Sequence, residues 1–102
     1  MRNEQKYAII WKNGRYSVGS EETIAKAYCK TKRLILGLLR LNGSSKLVYS
    51  LKLNGHWRPQ GTISDTGSYE CNRRAAYSDF FRNYLMNNQG EYSIIKLTDK
   101  RR

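Results

Sequence analysis

Lys26, Lys30, Arg33 and Arg40 recur at a spacing that, wound at 100° per residue, sets four cations along one side of a helix with Gly37 among them. A rigid line of cations matches a line of phosphates, because each neutralised phosphate releases counterions and no base has to be read. Arg73 and Arg74 form a second cluster at the expected start of another helix, where free amides and the macrodipole favour an anion over two arginines. A bound phosphate would use both guanidinium groups and the amides; an internal ion pair with Glu22, Asp65 or Glu70 would also resolve the conflict. Lys52, His56, Arg58 and Gln60 make a third set, on the polar face of an expected hairpin. Trp57 is the aromatic best placed to stack on an unpaired base.

Enzymatic chemistry has less support. His56 stands alone, with no carboxylate or cysteine at a recognisable catalytic spacing. Asp65, Glu70 and Asp79 form no compact carboxylate pattern, and Glu4-Gln5-Lys6 holds the Glu-x-Lys that ends some nuclease motifs without the strand and aspartate that precede it. No catalytic residue, metal or cofactor is therefore expected, and a metal-dependent nuclease is the minor alternative. Cys29 and Cys71 with His56 fall a ligand short of a structural zinc site. A disulfide between them would close a loop of about 43 residues and stabilise the chain by about 4 kcal/mol in the loop-entropy model. Two free thiols are the expectation in an ordinary cytosol.

The 102 residues carry 19 Lys and Arg against 8 Asp and Glu, a net charge of +11. That excess points to an acidic partner: nucleic acid, DNA or RNA, first, and an acidic host protein as the alternative from another class. A second copy of the chain is a further candidate partner. The length fits one domain, residues 1–102, and 39% hydrophobic residues with eight tyrosines is too much core-forming material for a disordered chain. The longest apolar run, Leu34 to Leu39, is far short of the roughly 18 to 20 residues a membrane span needs. An intracellular, cytoplasmic location without membrane contact is expected.

Asn-Gly recurs at 13–14, 42–43 and 54–55 and separates segments of different periodicity. A two-residue turn at Asn13-Gly14 would pair Trp11 with Tyr16 and Ile9 with Val18. At Asn54-Gly55 the same turn would set Leu51 against Arg58, so a three-residue loop pairing Leu51 with Trp57 is expected instead. It places Leu47, Tyr49, Leu51 and Trp57 on one face and the polar set on the other, with Pro59 marking an edge strand. Ser20 as N-cap, Glu21 and Glu22 in the first turn and Asn42-Gly43 as a stop predict one helix over 21–41. Tyr77, Phe80, Phe81, Tyr84 and Leu85 give the buried face of a second helix over 72–88, with Ser68 or Asn72 as cap. Glu91 to Leu97 reads as a last strand, and 98–102 as a frayed basic tail. The expected fold class is α+β, an antiparallel sheet of about five strands with two helices in the order ββαββαβ.

From about Arg15 onward, that βαββαβ order resembles a ferredoxin-like or RNA-recognition-motif fold with an extra leading strand. Where that family carries its aromatic-rich basic motif, this chain has His56-Trp57-Arg58-Pro59-Gln60-Gly61-Thr62-Ile63, and no base-stacking residue is carried over from the family. In size, basicity and tyrosine content the chain also resembles the small proteins of filamentous viruses that infect thermophilic archaea. That resemblance implies life inside an infected cell and favours a Cys29–Cys71 bridge, since hyperthermophile cytoplasm tolerates disulfides.

Overall fold

A computed structural model describes residues 5–98. The class is α+β, with six strands rather than five and two sheets rather than one. Strands β1 (Lys6–Trp11), β2 (Tyr16–Gly19) and β6 (Tyr92–Leu97) form one antiparallel sheet in the order β2-β1-β6. Strands β3 (Ile35–Arg40), β4 (Lys46–Leu53) and β5 (His56–Ser64) form the other, in the order β3-β4-β5. The helices are α1 (Glu21–Lys32) and α2 (Tyr69–Phe80), the latter extended by a π-helical turn over Phe81–Leu85. The basic tail expected at 98–102 lies, beyond Thr98, outside the described residues.

The helix expected over 21–41 stops at Lys32, and this is the main correction. Arg33 adopts a left-handed conformation (φ 59°), its N–H donates to the Lys30 carbonyl, and the Leu34 N–H reaches back to Cys29 at 2.8 Å. This is a Schellman closure with a partly buried leucine just past it, built on arginine instead of glycine. The next six residues extend as β3, whose Leu36 and Leu38 face the core. Without Leu34–Leu41 on the helix, the buried side of α1 is Ile24, Ala25, Tyr28 and Cys29. It is turned roughly 90° from the expected face, towards the flank holding Ala25 and Cys29.

Both hairpin registers also differ from expectation. At Asn13-Gly14 only Gly14 has a positive φ (93°), and Trp11 and Arg15 close a three-residue loop through a 2.8 Å hydrogen bond. Ile10 therefore faces Tyr16 and Ala8 faces Val18, which turns Tyr16 and Val18 to the open face of the sheet. At Asn54-Gly55 both residues have positive φ (53° and 81°), the signature of a two-residue type I′ turn. Lys52 then pairs with Trp57 and Leu51 with Arg58. An irregularity beside Pro59 takes up one extra residue, so that Tyr49 meets Gly61 and Leu47 meets Ile63. As Pro59 suggested, β5 is an edge strand.

Ser68 caps α2, its hydroxyl accepting from the Cys71 N–H. Buried Asn72 holds the loop before the helix, accepting from the Thr66 N–H and donating to Asp65. The π turn, closed by Met86 N–H to the Phe81 carbonyl, allows the neighbours Phe80 and Phe81 both to be buried to 1% exposure. One cluster of buried side chains runs through both sheets and both helices, from Ile9 through Tyr28 and Phe80 to Tyr49 and Leu51. The molecule measures 50 × 38 × 19 Å. Its thin dimension holds one layer of sheet and one of helix at about 10 Å separation, so each sheet keeps a face without cover. Among the described residues no helix is long and apolar enough to cross a membrane.

Candidate nucleic-acid interface

Alternation along β4 sends Leu47, Tyr49 and Leu51 into the core and Lys46, Val48, Ser50 and Lys52 to the bare face. The register carries that face across the sheet in rows: Ile35, Lys52 and Trp57; Gly37, Ser50 and Pro59; Leu39, Val48 and Thr62. Trp57 is half exposed, Ile35 60% and Leu39 69%. The indole leans across β4 towards Gly37, where a Cβ would lie 2.7 Å from its Cη2 and Cζ3 atoms. Lys52 Nζ sits 5.5 Å from the Trp57 ring centroid, a cation over a π face. The result is an exposed aromatic surface with a cation beside it.

The four-cation stripe expected on one helix does not exist as such. Lys26 and Lys30 are on α1, Arg33 is at its closing turn, and Arg40 is on β3. Lys26 is paired with Glu22 at 2.8 Å and Arg40 with Asp65. Glu22 also takes Arg74 at 3.3 Å; the Lys26 hydrogen bond, before the charges of Lys26 and Arg74, holds its carboxyl below the usual carboxylate range. Asp65 is held low as well, first by the Gly67 N–H and then by Asn72 and Arg40.

Arg73 and Arg74 lie in the second turn of α2, because the helix begins at Tyr69 and not at 72. Glu70 occupies the first turn, as the macrodipole favours. Arg73 lies over the rings of Tyr69 (5.8 Å) and Tyr77 (5.5 Å), and Arg74 is held by Glu22. The polar face expected on the second hairpin is divided by the type I′ turn: Lys52 stands on the bare face, while Arg58 pairs with buried Leu51 on the other. Among the described residues Lys30, Arg33, Lys52 and Arg58 make no ion pair.

Both cysteines are free thiols. Cys29 is buried in the core, where desolvation raises its pKa to about 12, and Cys71 is exposed. Among the described residues no group of three His, Cys, Asp or Glu is placed to hold a metal ion.

Ile35 and Leu39 belong to the bare face and were missed because 35–41 reads as helix, which also set Gly37 among the helix cations instead of under Trp57. The available signal was a short apolar run with an internal glycine, which suits a strand as well as a helix turn. Comparison with protein-family models, with curated proteins and with solved structures finds no match.

Proposed function

We propose that the protein binds single-stranded nucleic acid on the bare face of β3-β4-β5. Bases stack on Trp57, and phosphates are held by Lys52 and its neighbours. The observation that carries this reading is the half-exposed Trp57 indole reaching over Gly37 with Lys52 5.5 Å from its centroid. A buried tryptophan would be core, and an exposed one without a cation would be a poor place for a phosphate-linked base. Stacking needs an unpaired base, which favours single strands over duplex. The net charge of +11 supplies the attraction at a distance.

The test is fluorescence anisotropy with labelled single-stranded RNA, single-stranded DNA and duplex DNA at about 50 and 200 mM salt, with polyglutamate as competitor. The reading requires preference for single strands, survival against polyglutamate, and loss of about 10-fold or more in affinity on Trp57→Ala. Equal binding of duplex with no effect of Trp57→Ala would overturn it.

Protein association is the second reading, favoured by the other bare face. Ile10, Tyr16, Val18, Ile95 and Leu97 on β2-β1-β6 are exposed by 36% to 69%. Sedimentation at high salt, where +11 copies repel less, measures it directly.

A further inference from the structure

Between the β4-β5 hairpin and the two helices lies a cleft of ≈ 330 Å³ whose lining includes Tyr28, Leu34, Leu51, Arg58, Phe80 and Tyr84. Its volume is at the small end of ligand sites, and it combines an aromatic wall with a few polar groups at the rim. Phe80 and Tyr84 are stacked with ring centroids 5.0 Å apart and planes 7° from parallel. Phe80 is buried to 1% and Tyr84, which also meets Tyr28 edge-on at 6.5 Å, keeps 38% exposure, so the stack runs from the core to the surface at the cleft. At the rim, Lys32 is occupied by Glu91 at 2.9 Å, whereas Arg58 is exposed and unpaired among the described residues.

Trp57 and Arg58 are consecutive on an edge strand and point to opposite faces of the sheet. α2 packs against β5, with Asp79 lying beside Gly61, whereas the cleft takes Arg58 and Gln60 from the hairpin end. We infer that this cleft is a nucleobase pocket: a strand stacked on Trp57 turns over the β5 edge, its phosphate meets the Arg58 guanidinium, and its next base enters the cleft to extend the Phe80–Tyr84 stack. This rests on the single-strand reading above and adds a second subsite to it, one that recognises a base and not only a backbone. The pocket takes a planar aromatic ring carrying a phosphate, which is the chemistry of a nucleotide.

The experiment steps a single abasic site along a short single strand and measures affinity for the wild type, Trp57→Ala and Leu53→Trp. Leu53 lines the cleft and is 41% exposed, so an indole there fills the space without disturbing the core. Two sensitive positions are expected in the wild type, each costing about 10-fold. One is silenced by Trp57→Ala and the other by Leu53→Trp, and Arg58→Ala weakens all strands while lowering the salt slope by about one phosphate contact. A single sensitive position, or two that Leu53→Trp leaves unchanged, overturns the pocket while leaving the Trp57 surface standing. If no strand binds, the surface falls. The pocket is then decided by uridine and thymidine monophosphate, whose addition must shift the amide resonances of Tyr84 and Arg58; unchanged resonances overturn it too.

Discussion

The indole of Trp57 fills the space that a side chain at Gly37 would need, with only 2.7 Å between its outer ring atoms and a Cβ placed there. The two residues are 20 apart in sequence and two strands apart in the sheet, and the absence of a side chain at Gly37 is what lets the ring reach across β4. Gly37→Ala should therefore leave the fold intact, at a cost of about 1 kcal/mol or less, because the half-exposed ring can swing away. It should red-shift the tryptophan emission and weaken strand binding several-fold. Unshifted emission would mean that the ring is not seated on Gly37.

The cations should separate into two groups by salt dependence. Lys52→Ala should lower the slope of log K against log salt by about 0.7 for a single strand, as expected of one lost phosphate contact. Lys26→Ala and Arg40→Ala should change it less, because Glu22 and Asp65 already occupy those charges in the free protein. Equal losses at all three would return the site to a general basic surface.

Tyr49 is buried to 1% and donates its hydroxyl to the Asp79 carboxylate, which also accepts from Asn83 at 2.9 Å. Tyr49→Phe removes one donor from a carboxylate already taken partly out of water, and should destabilise by about 1 to 3 kcal/mol in chemical denaturation. Gly61 stands against the same pair, where a Cβ would come 3.0 Å from the tyrosine hydroxyl. Gly61→Ala should cost stability too, and the two losses should not add, because they act on one contact.

The thiols should react in sequence. Cys71 is exposed and should be modified by a thiol reagent in the native protein, while Cys29, buried and with its pKa raised to about 12, should react only on unfolding. Equal reaction of both under native conditions would place Cys29 outside the core.

Stability should be greatest across a neutral plateau and fall at both ends. Glu22 and Asp65 have pKa values below the ordinary carboxylate range, so their contribution is complete above about pH 5 and is lost as pH falls through the depressed values. Cys29 and Tyr92, both raised to about 12 chiefly by burial, and Tyr28 and Tyr49, raised for the same first cause, must stay protonated in the fold. Their contribution is complete below the unfolded values, about pH 8.5 for the thiol and about 10 for the phenols, and is lost as pH rises towards the folded ones. Urea midpoints measured from pH 2 to 11 check both limbs. A flat alkaline limb would contradict the burial of the phenols.

The local signals that survived into the fold rest on interactions within a few residues. Ser20 caps α1 by accepting from Thr23, Glu21 and Glu22 lie in its first turn, and Ser68 caps α2. The apolar spacing of Tyr77, Phe80, Phe81 and Leu85 buries those side chains, and Pro59 sits on an edge strand because it lacks the N–H a central strand needs. Charge and composition were likewise legible, and they set the class of partner worth testing.

What the chain alone left undecided was the outcome of competitions that local energies nearly balance. Leu34–Leu39 suits a helix or a strand by composition, and β4 settles it by offering a complete ladder from Lys52 to Leu47. Asn-Gly suits a two-residue or a three-residue loop, and the two hairpins divided the options the opposite way from expectation because Asn54, but not Asn13, takes a positive φ. That one-residue difference turns Trp57 outward and Arg58 towards the cleft, since a slip of one residue exchanges the faces of a strand. The candidate surface exists because β3 brings Gly37 under a ring 20 residues later, a pairing that no periodicity in either segment encodes.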